Sequence, residues 1–212
     1  MLIGEGQDWQ EGTEQAWELL AGRNPEDVCR NTQADFSRSD GCYVLPMFGD
    51  KVYVCPEKRE IRGDSELTDV LLNELPHFSM VPVLWYLNKA RDIPPSGNLV
   101  NPREVKGGQI FTQGSYILPL EKIIESYGSS ARGFLERGGT LGGQPLEYGD
   151  ASLRLLPFPR VPVVFILWEG DEEFPARADI LFDETCSLHL PTDTLWSTAM
   201  LSILMMTREG EV

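Results

Sequence analysis

The stretch from Ile166 to Asp183 holds six carboxylates and one basic residue, Arg177. Glu169, Asp171, Glu172 and Glu173 fall within Glu-Gly-Asp-Glu-Glu-Phe-Pro, and Asp183 closes Ile180-Leu181-Phe182-Asp183. Carboxylates this dense repel one another unless water, a cation or a guanidinium such as Arg160 or Arg177 compensates them. Hard oxygen ligands would suit a divalent metal such as Mg²⁺, Ca²⁺ or Mn²⁺. Asp171, Glu172, Glu173, Asp183 and His189 would then hold the ion, and one carboxylate would act as general base in a metal-dependent enzyme. A second use is a structural interaction domain whose acidic loop docks on a basic partner. The plain alternative is a solvated loop with a Gly-Asp turn and a Phe174-Pro175 anchor, and with Asp183 capping the turn at Glu184-Thr185.

Other constellations are sparser. Cys186-x-x-His189 is compatible with zinc or with axial ligation of a tetrapyrrole metal, but no paired motif supplies the two further ligands that zinc needs. His77 is the only other histidine, and a lone histidine is more often a hydrogen-bonded structural residue. No Gly-x-Ser-x-Gly elbow is present, which argues against a serine hydrolase. The run Gly138-Gly139-Thr140-Leu141-Gly142-Gly143 is not followed by Gly-Lys-Ser/Thr, so it reads as a loop needing positive φ or tight passage rather than a phosphate cradle. Trp85, Trp168, Trp196 and Phe174 are the aromatics that would line a pocket for a flat ligand, with core packing as the competing use. Nothing here assigns a catalytic residue, and the reading leans away from an enzyme.

The elements that must position these groups are legible in part. Trp9, Thr13, Ala16, Trp17 and Leu20 recur at helical spacing before Gly22. Asn24-Pro25-Glu26-Asp27 reads as a cap, a first-turn proline and first-turn acids of a second helix ending near Asn31. Residues 42–48 and 51–55 form a hairpin around Gly49-Asp50, with 60–62 as a third strand. Asp64-Ser65 caps a brief helix through Leu72, and residues 77–91 form a buried helix with Pro82 in its first turn. After a Pro/Gly/Asn-rich loop, residues 119–128 form the clearest helix in the chain, and 130–137 another, closed by Gly138-Gly139. Three strands follow at 151–156, 161–168 and 178–182. The second is apolar on both faces and therefore central. Thr192 caps a C-terminal helix whose Leu195, Trp196, Ala199, Ile203 and Met206 pack inward. The class is α+β, a largely antiparallel sheet packed with several helices, the C-terminal helix closing the domain.

The 212 residues suit one domain, with a helical and hairpin part over 1–91, a loop-rich middle over 92–150 and strands plus a helix over 151–212. Hydrophobic residues at 42% and charged residues at 24% fit a globular chain. A net charge of −15 disfavours nucleic acid, which needs clustered Lys and Arg. The N-terminus, from Met1 to Trp9, lacks a signal-peptide pattern, and the apolar run from Leu195 to Met206 is too short to span a bilayer. A cytoplasmic protein with no membrane contact is expected. The four cysteines, at 29, 42, 55 and 186, contain no Cys-x-x-Cys pair and are expected to be free thiols.

From Gly97 onward several pieces carry a resemblance. They are Pro102-Arg103-Glu104 with Gly107-Gly108, Gly142-Gly143 with Gly149-Asp150, Pro157 with Pro159-Arg160-Val161-Pro162, Leu167 to Pro175, and Leu181-Phe182-Asp183. Together they resemble the prokaryotic family catalogued as domain of unknown function 3786. Members occur largely in anaerobes, and some are fused to a four-cysteine iron–sulfur domain similar to that of corrinoid iron–sulfur proteins. The fused cluster domain is absent from this sequence. The resemblance implies a non-catalytic accessory or ligand-binding protein of anaerobic corrinoid and one-carbon metabolism. Such a protein would bind a corrinoid or other tetrapyrrole, or dock on a corrinoid or iron–sulfur protein.

Overall fold

Asn24 shows how closely local sequence sets local structure here. Its side chain accepts a hydrogen bond from Glu26 N at 2.8 Å, Pro25 takes the first helical position, and Glu26 and Asp27 sit at the positive end of the helix dipole. The resulting helix α2 (Pro25–Thr32) follows α1 (Glu5–Ala21) and ends at Gln33, whose left-handed backbone returns its N–H to Cys29 O. The structure is a computed structural model. It describes residues 5–208, with side chains from Gly12 onward. The reading of the first four residues and of the Trp9 side chain falls outside what is described.

Two antiparallel sheets and seven α-helices make up the described residues. The first sheet is a meander of β1 (Asp35–Ser37), β2 (Cys42–Met47), β3 (Asp50–Cys55) and β4 (Glu60–Arg62). The hairpin between β2 and β3 turns at Phe48-Gly49, one residue earlier than expected, and Asp50 already pairs with Met47. Both turn residues have positive φ, 49° and 79°, which matches the twist of a two-residue hairpin. Phe48 tolerates this because its ring is buried and its N–H donates to Leu156 O at 2.9 Å, which fastens the hairpin to the other sheet. The same register brings Cys42 and Cys55 face to face, and they form a disulfide. The expectation of four free thiols therefore holds only for Cys29 and Cys186. Spacing alone does not reveal a partner that hairpin register creates.

The second sheet has the order β5-β9-β8-β7-β6, from β5 (Leu99–Val100), β6 (Gln144–Leu146), β7 (Ala151–Phe158), β8 (Val161–Trp168) and β9 (Arg177–Asp183). β8 is central and buried along both faces up to Trp168, as its uninterrupted apolar run requires. The α+β class with antiparallel pairing stands, with the strands divided between two sheets. Helix α4 (Pro76–Lys89) and the C-terminal α7 (Thr192–Thr207) pack on each other, and α1 packs on α4. Leu195, Ala199, Ile203 and Met206 are buried while Trp196 is only half-buried. Each fully buried Leu, Ile or Met side chain contributes about 1.5–3 kcal/mol.

Three local expectations change. Pro82 lies in the interior of α4, not its first turn, because the helix starts at Pro76 directly after a short α3 (Glu66–Asp69) and a π-turn (Val70–Glu74). Ser79 ties these together, donating to Leu71 O at 2.6 Å. Thr192 does not cap α7; its hydroxyl donates across to Lys106 O at 2.8 Å. Gly138 and Gly139 lie inside α6 (Ala131–Thr140) rather than closing it, since Gly138 lets the helix rest on β7: a Cβ there would meet Leu153 at 2.1 Å. The positive φ expected in this glycine run belongs to Gly142 (+67°), whose Cβ would lie 2.7 Å from the Cα of Gly49. Two glycine backbones thus cross where the first hairpin meets the second sheet. Among the described residues, no helix is long and apolar enough to cross a membrane.

Candidate functional site

Register places the opening acids. Ala151 pairs with Leu167, and Trp168 with Arg177, so the 147–150 turn and the 169–176 connection share one end of the second sheet. Asp150 joins them. Its N–H donates to Leu167 O at 2.9 Å and its carboxylate accepts from Glu169 N at 2.8 Å. Two more bonds tie the connection to the helices: Gly170 N donates to Gly128 O, just past α5 (Glu121–Tyr127), and Glu169 Oε1 accepts from Ala131 N at 2.8 Å as α6 begins. Asp171 then folds the crest. Its carboxylate accepts from Glu173 N at 2.8 Å and Phe174 N at 2.7 Å while its own N–H donates to Phe174 O. The bonds from Phe174 and Glu173 hold its carboxyl below the usual range.

What the crest presents is an aromatic ring among acids. Phe174 is 67% exposed, Tyr148 is exposed nearby, and Glu172 and Glu173 have no ion-pair partner among the described residues. Arg177 does not neutralise them; its guanidinium lies 3.8 Å above the Trp168 ring. Arg160, the other compensating cation considered, is 4% exposed in the turn between β7 and β8. There it donates to Asn31 O, Arg30 O and the Asp92 carboxylate at 2.7, 3.0 and 2.6 Å.

Asp183 is separated from the crest by the length of β9, roughly 20 Å at 3.3 Å per residue. It is 1% exposed and accepts from Thr185 N and Oγ1 at 3.0 and 2.6 Å, Ser96 N at 3.1 Å and Gly97 N at 2.7 Å. Burial pushes its pKa up, but these hydrogen bonds outweigh it and the carboxyl stays below its usual range. It caps the turn at Thr185, one of the two roles the sequence offered, and also pins the 96–97 loop, which sequence position did not reveal. Asp171, Glu172 and Glu173 are therefore not gathered with Asp183. Among the described residues no three His, Cys, Asp or Glu side chains are arranged to hold a metal.

Cys186-x-x-His189 forms a buried pair of another kind. The Cys186 thiol donates to Pro162 O, and burial together with the Asp183 charge raises its pKa to about 12. The His189 imidazole is fully buried and accepts from Arg91 N through Nδ1. Burial first, then the Arg160 cation, lowers its pKa to about 4, with Asp183 opposing. It is a neutral ring, and Nδ1 as acceptor leaves its proton on Nε2, which has no partner among the described residues. His77 is exposed at the start of α4.

The aromatics proposed for a pocket stand apart. Trp85 lies under Lys89 on α4, and Trp196 packs against Phe78 and Tyr116 and donates to Tyr116 O at 2.8 Å. Trp168 and Phe174 belong to the sheet-end crest, and no ring contact joins any two of these four. A groove of about 260 Å³ that the sequence does not announce lies between β9 and the 101–120 segment, lined by Arg103, Phe111, Leu118, Leu120, Asp179 and Ile180 among others. Its only sequence sign was the apolar Ile117-Leu118-Pro119-Leu120 run.

No curated protein and no solved structure matches the chain. The family model described as a domain of unknown function (DUF3786) matches residues 24–205, which include the crest, Arg160, Asp183 and His189, and the chain therefore belongs to that family.

Proposed function

We propose that this protein is a non-catalytic accessory protein of anaerobic corrinoid and one-carbon metabolism that docks on a corrinoid or iron–sulfur partner through the sheet-end crest. The observation that carries the docking is Phe174, 67% exposed on a loop that Asp171, Glu169 and Gly170 hold rigid by hydrogen bonds. A pre-organised aromatic anchor with unpaired acids around it suits a partner with an apolar socket in a basic rim. Docking is favoured over enclosing a tetrapyrrole because Trp85, Trp168, Phe174 and Trp196 do not converge. The groove of about 260 Å³ is also smaller than sites that enclose drug-sized ligands. The pathway and partner class rest on the family resemblance, through the iron–sulfur domains fused to some members.

The test is binding of the purified protein to a purified corrinoid iron–sulfur protein, followed at two salt concentrations. Phe174→Ala is expected to weaken binding by about tenfold or more. Glu172→Lys with Glu173→Lys is expected to abolish its salt dependence, and both variants keep wild-type stability. Absence of binding, or binding unchanged by Phe174→Ala, rejects the proposal.

A further inference from the structure

The groove beside β9 sits where a strand pairing stops. β5 pairs with β9 through Leu99↔Asp183 and Val100↔Phe182, and Glu184 N donates to Asn98 O at 3.0 Å one step beyond. In an antiparallel ladder, pairs that exchange hydrogen bonds recur at every second residue. The bond from Glu184 N to Asn98 O marks one such position, the register puts Phe182 with Val100 at the next, and the one after would set Ile180 opposite residue 102. That residue is Pro102, which has no N–H to give. The chain also leaves the sheet there, because Asn101 caps a 3₁₀ turn over Pro102–Glu104 and Glu104 returns a bond to Asn101 N at 2.7 Å. The outward N–H and C=O of Ile180 therefore face the groove instead of a strand, and Ile180 lines it.

Two further features share that space. Phe111, Leu118 and Leu120 give it an apolar wall opposite Ile180. Arg103 stands on its rim, donating through Nε to Asn101 Oδ1 at 3.2 Å and pairing with no carboxylate among the described residues. An open strand edge recognises peptide backbone, an apolar wall recognises a side chain, and a guanidinium with free N–H groups recognises a carboxylate in two-point fashion. Only one common ligand offers all three in that order at close range. We propose that this groove binds the C-terminal end of an extended peptide: its backbone pairs with Ile180, its apolar last side chain enters against Phe111 and Leu120, and its terminal carboxylate lies on Arg103. Asp179, also on the rim, disfavours acidic residues in the bound segment. The site is separate from the crest and does not depend on it.

The probes are N-acetyl-Lys-Val-Leu as the free acid, the same tripeptide as its C-terminal amide, and free leucine. Each is titrated into the full ¹⁵N-labelled chain, with the Ile180 amide as the reporter. The free acid is expected to shift that resonance, and the amide to bind about tenfold more weakly. Arg103→Gln is expected to bring the free acid down to the amide's affinity while the rest of the spectrum stays in place. The proposal fails if the amide binds as well as the acid, or if free leucine binds as tightly as the tripeptide, which would mark a small-molecule site. It fails equally if millimolar tripeptide leaves Ile180 unmoved.

Discussion

Removing the charge of Asp183 tests whether the 96–97 loop and the 185 turn are held by one carboxylate. Five donors reach it: Thr185 N and Oγ1 at 3.0 and 2.6 Å, Ser96 N at 3.1 Å, Gly97 N at 2.7 Å and the Ser96 hydroxyl at 3.3 Å. Hydrogen bonds to a charged group contribute roughly 1.5–3 kcal/mol each, so the gross interaction is large. Much of it returns on mutation, because Ser96 and Gly97 are exposed and their N–H groups can turn to water. Thr185 is buried and cannot. Two stranded donors at roughly 1–3 kcal/mol give a net loss of about 3 kcal/mol for Asp183→Ala. Asp183→Asn keeps one acceptor oxygen but sets its amide N–H₂ against Gly97 N–H, for about 2 kcal/mol. The assay is urea denaturation followed by tryptophan fluorescence at pH 7, with the slope unchanged between variants. Hydrogen exchange at Gly97 should quicken in the same order. The sign with pH is fixed: a carboxyl held low in the folded state adds stability above its unfolded value near 3.9, lost as pH falls through the folded value. An Asp183→Asn variant within about 0.5 kcal/mol of the parent would refute the reasoning.

The buried imidazole of His189 titrates near 4 when folded and near 6.5 when unfolded, so its contribution is full above 6.5 and falls away as pH drops toward 4. Stability of the parent should decline by on the order of 2 kcal/mol across that window, and His189→Gln should flatten the decline in equilibrium unfolding at pH 7, 5.5 and 4.5. Gly142→Ala should cost about 3 kcal/mol by thermal or chemical unfolding, from positive φ and from a Cβ set against the Gly49 backbone. Replacing Cys42 and Cys55 together by serine should cost about 2 kcal/mol, the denatured chain regaining the freedom of a short closed loop, and alkylation under denaturing conditions should then count two thiols with or without reductant.

Elements with their own signals were readable from the chain. The Asn24 cap, the Ser65 cap, the apolar run of β8 and the α5 helix each carry their reasons within a few residues. Those that failed owe their form to something distant. Thr192 looks like a cap until the Lys106 carbonyl claims its hydroxyl, and Gly138 looks like a stop until Leu153 explains its missing Cβ. β5 has two residues and β6 three, too short for periodicity, and both exist because a neighbouring strand offers an edge. At the candidate site, the loop position of the acids and the turn-capping by Asp183 were legible. The separation of Asp183 from Glu173 was not, because a strand's length divides residues that look adjacent in a string. The buried company of Arg160 with Asp92 and the Asn31 carbonyl joins residues far apart in sequence, and no spacing rule reaches that far.

The bond from Gly97 to Asp183 spans 86 residues. Together with the β5–β9 pairing and the packing of α4 on α7, it makes the last quarter of the chain the binding partner of its middle. The segment between includes the exposed residues 113–115, whose backbone bonds are all local. A single proteolytic cut there would produce two polypeptides, neither with a complete core, each the other's template. The chain would be divided while the molecule stayed whole, which is the natural starting point for a split reporter built on this fold.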